Sequence, residues 1–155
     1  MRFEDEFLTR SVLREERLVL AVSRGHPLTR TSQPLKLKDT TSELLILYPR
    51  APRPSYADQV LSIYRDLGLN PSVDFEVREM QTALGLVAAG AGVALVPSSV
   101  RRLGRDDVVY LDLSEPNVVS PIIMTHRLND KSPLLAHMLA LVRDFDRWIP
   151  NAPQS

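Results

Sequence analysis

The sequence predicts an α/β fold organised around a parallel βαβ unit, and three observations carry that expectation. Between Phe75 and Ser99, Phe75 and Val77 first alternate with Glu76 and Arg78, and Val93, Ala94, Leu95 and Val96 later run without polar interruption. Alternation of period two marks a strand with unequal faces, whereas a continuous apolar run suits a strand covered on both faces. Between them, Ala83, Leu84, Leu86, Val87, Ala88 and Ala89 form a run of helix formers ended by Gly90 and Gly92, where a left-handed stop is expected. The strand, loop, helix order also precedes this stretch, from Leu44 to Gly68. Parallel strands need such crossovers.

Taken in order, the charged and weakly periodic residues 1–16 lead into a strand expected over Arg17 to Ser23, stopped by Gly25, His26 and Pro27. Thr29 to Pro34 reads as a polar loop and Leu35 to Thr41 as a short turn or helical stub. Leu44 to Leu47 is a second strand, closed by Tyr48 and Pro49. Pro49, Pro52 and Pro54, interleaved with Arg50 and Arg53, then make a stiff, mostly extended loop of positive charge. Ser55 is placed to cap a helix with Val60, Leu61, Tyr64 and Leu67 on one face, stopped at Gly68. After Pro97, Ser98 and Ser99 open a short helix through Leu103, followed by strands over Val108 to Leu113 and Pro121 to His126. Ser132-Pro133 is a helix-start signal, and Leu135, Met138, Leu139, Val142 and Phe145 mark the face the last helix is expected to bury. Pro150 to Ser155 reads as a tail.

Composition narrows the function classes. A chain of 155 residues with 44% hydrophobic content suits one ordinary domain or two small lobes. Nineteen basic and nineteen acidic residues cancel, so no global charge draws the chain to nucleic acid or membrane. The absence of cysteine excludes disulfides, thiol nucleophiles and cysteine metal sites. The uncharged stretch from Met80 to Val100 is long enough to raise a membrane span, since about 20 apolar residues suffice. Gln81, Thr82, Gly85, Gly90, Gly92 and Pro97 dilute and break it. The same glycines lack the Lys-Ser/Thr of a phosphate loop. His26, His126 and His137 lie on separate elements with no ligand spacing, and there is no HExxH or GxSxG. An enzyme, a metal and a cofactor therefore have no positive signal. A charge-studded N-terminus without an apolar core leaves the cytoplasm as the expected compartment.

The positive feature is Tyr48 to Tyr56 (YPRAPRPSY), which joins two arginines, aromatic rings and the free N–H groups of a helix start in one loop. Such N–H groups and the helix dipole bind carboxylates, and arginine adds a charge-assisted fork. The plainer reading is a solvated connector with Tyr56 packed as a hydrophobic staple. Arg78 and Glu79 read likewise as an exposed ion pair, made notable by their place at a strand end before the second helix start, near Met80.

The runs REERLVLAVSRGHPL, LLILYPRAPRPSYADQV and FEVREMQTALGLVAAGAGVALVPSS resemble the effector-binding region of LysR-type transcriptional regulators. They are most similar to the subgroup that responds to muconate and benzoate-like intermediates of aromatic catabolism. The resemblance covers most of Leu13 to Trp148. It implies a periplasmic-binding-protein-like fold of two α/β lobes, with a small carboxylate inducer in the cleft between them. By matching position, Pro54, Ser55 and Tyr56 would line the cleft, the Ser55 and Tyr56 N–H groups facing the inducer carboxylate, with Arg53 of the same loop in the ligand-binding set. Met80 would line it from the second helix start. Arg14 and Glu16 match positions near a second, more apolar pocket for an aromatic acid, and Arg78 and Glu79 would be control residues adjoining the cleft.

The resemblance also sets the expected domains: 1–26 as partial lobe I and crossover strand, 27–113 as a complete lobe II, 114–150 as the return to lobe I, and 151–155 as tail. No winged helix-turn-helix precedes Met1, and the first strands and helix of lobe I are missing from the pattern. Promoter DNA is therefore an expected partner only through a domain this chain lacks. The lobe I pieces should expose apolar faces and strand edges, which predicts a homo-oligomer with exchanged elements. Two rival classes stand beside the sensor: a small-molecule-binding or interaction module without regulatory role, and an enzyme acting on an organic acid.

Overall fold

The computed structural model describes the backbone of residues 7–52 and 54–148 and side chains up to residue 144. Arg53, the side chain of Phe145 and the expected tail lie outside the described residues. In chain order the elements are β1 (Leu8–Ser23), β2 (Leu44–Leu47), α1 (Tyr56–Asp66), β3 (Ser72–Glu76), α2 (Met80–Ala88), β4 (Ala94–Pro97), β5 (Val108–Asp112), β6 (Val119–Arg127) and α3 (Pro133–Trp148). Short 3-10 turns occupy Pro27–Arg30, Leu37–Thr40 and Ser98–Leu103. The chain divides into two compact units, Glu16–Ser120 and a smaller one joining the residues up to Glu15 to those from Pro121 onward. The division falls at 15/16 and 120/121, where the expected domains end at 26/27 and 113/114, because the second half of β1 is bonded on both edges to strands of the larger unit.

Within the larger unit, β2 and β3 are parallel neighbours, Leu44 opposite Ser72 and Leu47 opposite Glu76, joined by α1. The crossover through α2 passes from β3 to the far side of β2. There Val93 accepts from the Ile46 N–H and donates to the Leu44 carbonyl, both at 2.8 Å. β4 then pairs with β1, and β1 with β5. These last pairings are antiparallel, with Ala21 opposite both Ala94 and Tyr110, so the parallel arrangement expected holds for the β2–β3 sheet and its bridge to Val93 but not for the four-stranded sheet built on β1. Antiparallel neighbours satisfy both edges of β1 without helical crossovers.

The apolar run Leu18–Val22 is buried on both faces. Leu18, Leu20 and Val22 join Leu45, Leu47, Val60 and Tyr64 in a cluster on the α1 side. Val19 and Ala21 join Ile46, Ala83, Leu84 and Val87 in a cluster on the α2 side. Gly90 carries φ 77° and ends α2 at the expected place. Gly92 answers a different need, since a Cβ there would run into the Leu44 carbonyl where β2 meets Val93.

Several expectations are corrected. β1 begins at Leu8, well before Arg17, because pairing with β6 makes a strand of a charged stretch whose own pattern is weak. The buried face of α1 is Ala57, Val60, Ile63 and Tyr64, whereas Leu67 lies at the C-cap and is 38% exposed. Phe75 is 39% exposed, on a strand that pairs with β2 alone among the described residues. On α3, Leu135, Leu139 and Val142 are half-buried and Met138 is 56% exposed, so the face expected to be buried is partly open. No helix among the described residues is long and apolar enough to cross a membrane.

Candidate functional site

The loop after β2 is held against the chain after β3. The Val77 N–H donates to the Leu47 carbonyl at 2.9 Å, and the Arg50 N–H donates to the Val77 carbonyl at 2.7 Å. This extends the β2–β3 pairing past the strand ends and brings YPR beside VRE. Arg78 and Glu79 follow directly, both exposed, with Glu79 as the N-cap of α2. Pro54 is exposed on the approach to α1.

Ser55 caps α1 as its residue type predicts, but its own N–H is already engaged. It donates to the Asp58 carboxylate at 2.7 Å, while the Ser55 hydroxyl donates to the Pro49 carbonyl at 3.1 Å. An acidic group in the first turn also answers the positive end of the helix dipole. A Ser55 N–H facing an outside carboxylate is thus not what this structure shows. Asp58 escaped the sequence reading, although its place three residues beyond the capping serine is the capping-box signal.

Tyr56, the first residue of α1, packs against both core clusters and donates its hydroxyl to the Leu95 carbonyl at 3.1 Å. Its ring lies 5.1 Å from that of Tyr48, tilted by 35°. Its ring is thus packed into the core, from the first helical position and not from the position before the cap that a staple uses. Burial pushes the Tyr56 hydroxyl well above its ordinary pKa, and the neighbouring Tyr48 and the Glu16 carboxylate reinforce this. Met80, the first residue of α2, is half-buried against the cluster that contains Tyr48. Two helix starts, predicted from separate stretches, thus converge on one group of side chains.

Glu16 accepts from the Ser99 N–H at 2.6 Å and from the Ser98 hydroxyl at 3.3 Å. It caps the 3-10 turn after β4 and exerts its charge on Tyr56. Arg14, two residues earlier on β1, is exposed and belongs to the other compact unit. Ser98 and Ser99 are members of this neighbourhood that the sequence reading placed only as a helix opening, because nothing local indicates which strand ends adjoin. An open cavity of about 570 Å³ lies elsewhere, at the Ser23 end of β1, lined by Arg24, Gly90, Asp106 and Asp107 among others. No group of acidic residues or histidines able to hold a metal occurs among the described residues. His26 Nδ1 accepts from the Leu28 N–H at 3.2 Å and its Nε2 lies 3.3 Å from Glu43, a capping role.

Comparison with known proteins gives consistent results. The chain is 43% identical to the HTH-type transcriptional regulator CatR of Pseudomonas putida over 142 residues, 92% of this chain and 48% of that protein. It is 36% identical to the HTH-type transcriptional regulator BenM of Acinetobacter baylyi, over 92% of this chain and 47% of that protein. Full-length BenM superposes with a TM-score of 0.85 at 34% identity, over 97% of this chain and 52% of that one. The BenM effector binding domain with its effector benzoate gives 0.84 at 32% identity, over 98% of this chain and 70% of that one. The chain thus spans about half the length of the curated relatives it matches, and these relatives are transcriptional regulators, not enzymes. Its fold is the periplasmic-binding-protein-like α/β fold of these effector-binding domains. Since the model of the LysR substrate binding domain matches residues 2–147, nearly the whole sequence, the chain belongs to that family.

Proposed function

We propose that the chain is the effector-sensing part of a LysR-type regulator of aromatic catabolism and binds a small carboxylate inducer, muconate- or benzoate-like, at the start of α1 in the cleft between lobes. The observation that carries this reading is the convergence of the α1 and α2 starts, through Tyr56 and Met80, on one side-chain cluster. The solved relative that holds benzoate supports it. The inducer carboxylate accepts from the Tyr56 N–H at the positive end of α1, with Pro54 and Met80 against its carbon skeleton and Arg53 supplying charge. Ser55 joins as a second donor when the inducer carboxylate replaces that of Asp58, one anion exchanged for another at the same N–H. Arg14 and Glu16 would serve a second aromatic-acid pocket, and Arg78 and Glu79, which follow the Val77 bonded to the loop, would pass occupancy onward. Binding shifts the balance between lobe arrangements in a homo-oligomer, and winged-helix domains outside this chain read the result on DNA. The protein would act in the cytoplasm.

Calorimetric titration with cis,cis-muconate and benzoate tests the reading. Saturable binding by the chain, weakened about tenfold or more in Tyr56→Ala, is the expected result, since the backbone N–H stays but the ring that packs at the helix start is lost. Equal affinity of the chain and the variant would contradict it.

A further inference from the structure

Tyr56 and Gln59, both in the opening turn of α1, reach beyond their own helix. Tyr56 donates to the Leu95 carbonyl, whereas Gln59 holds the start of β6. The Gln59 side-chain NH2 donates to the Val119 carbonyl at 3.2 Å, and its side-chain carbonyl accepts from the Ser120 hydroxyl at 3.3 Å. Only the NH2 end can meet a carbonyl, so the Val119 bond also fixes which end faces Ser120. All three residues are half-buried. Val119 and Ser120 are the last residues of the larger unit before the chain passes into the smaller one at Pro121. The strand of the other passage lies alongside, since the Leu18 N–H of β1 donates to the Val118 carbonyl at 3.0 Å. A glutamine held at both ends gives up rotamer freedom that a solvent-facing one keeps. Bonds to consecutive residues tie this point of the chain to α1.

We infer that Gln59 is a positioning residue that carries occupancy of the α1 start to the point where the chain leaves the larger unit. The inference rests on the proposed acid site and deepens it by assigning the route of its signal. An acid at the Ser55 and Tyr56 N–H groups displaces the Asp58 carboxylate from Ser55 and so re-seats the opening turn. Gln59 follows Asp58 in that turn, and its bonds pass the displacement to Val119 and Ser120 while Gln59 itself does not touch the ligand. Coupling of this kind needs a ligand that favours one setting of the turn over another. The exchange of anions at the Ser55 N–H supplies that difference.

The test is amide NMR of the full chain during titration with cis,cis-muconate and with benzoate, alongside Gln59→Leu and Gln59→Glu, with affinities from calorimetry. In the parent, the Val119 and Ser120 amides are expected to shift along the same saturation curve as those of Ser55 and Tyr56. Gln59→Leu should keep the Ser55 and Tyr56 shifts and an affinity within about threefold of the parent, but lose the shifts at Val119 and Ser120. Gln59→Glu keeps the acceptor and loses the donor, so the Ser120 shift should survive and the Val119 shift should not. Ligand-induced shifts at Val119 and Ser120 that persist in both variants overturn the inference, because a merely structural glutamine leaves them in place. An affinity loss of about tenfold or more in Gln59→Leu overturns it too, since Gln59 would then be a ligand contact. Shifts at Ser55 and Tyr56 with none at Val119 or Ser120 in the parent defeat this inference and leave the acid site standing. Binding that moves neither Ser55 nor Tyr56, or no binding of either acid, defeats both.

Discussion

If the proposed acid site is right, stability and ligand affinity oppose each other at Asp58. Its carboxylate holds the Ser55 N–H and so occupies the place the proposed acid ligand would take. Asp58→Ala is therefore expected to lose about 1 kcal/mol of stability, the usual worth of a capping interaction, while binding acid more tightly. Chemical denaturation and titration of the same variant check the two signs, and a weaker acid affinity would count against the exchange of anions. The buried tyrosines make a separate prediction about pH. Burial lifts the Tyr64 hydroxyl to about 12, against the pull of its 2.6 Å hydrogen bond with Thr40. In the unfolded chain it ionises near the ordinary value of 10, so above that pH the unfolded state releases a proton the folded state keeps. Stability is complete below pH 10 and falls toward 12. Tyr64→Phe should flatten part of that alkaline loss, to be read as the unfolding midpoint against pH.

Among the elements, those announced by local chemistry were legible and those fixed by a partner were not. Ser55 and the Ser132-Pro133 pair mark helix starts, and Gly90 a helix stop, through backbone needs that a few neighbouring residues decide. The first half of β1 is a strand because β6 lies beside it, and the antiparallel direction of β1 depends on β4 and β5, far away in sequence. The same division holds at the site. Tyr56 and Met80 could be named from helix starts, whereas the meeting of Glu16 with Ser98 and Ser99 is a product of sheet order. Gly92 tests that order: Gly92→Ala should cost about 1–3 kcal/mol as β4 is pushed from the Leu44 carbonyl, seen as a lower denaturation midpoint. An unchanged midpoint would mean that β2 and Val93 are not tightly joined.

For the molecule as a whole, the larger unit carries two buried clusters, while the smaller one leaves Phe7, Leu134 and Leu141 at 75%, 79% and 65% exposure. Leu134, Met138 and Leu141 follow helical spacing and form one apolar stripe on α3. Such a stripe drives association in water, so sedimentation should show mass rising with concentration, and Leu134→Lys with Leu141→Lys should suppress it. The resemblance in the sequence reached the family and its fold, but the exposure of α3 depends on which elements pack around it. The claim on which function turns is that a carboxylate docks at the start of α1. Amide chemical-shift mapping by NMR during titration with benzoate measures this most directly. The account predicts that the largest shifts fall on Ser55, Tyr56 and Ala57, with Met80 following. Shifts confined to the cavity near Ser23, Gly90 and Asp107 would contradict it.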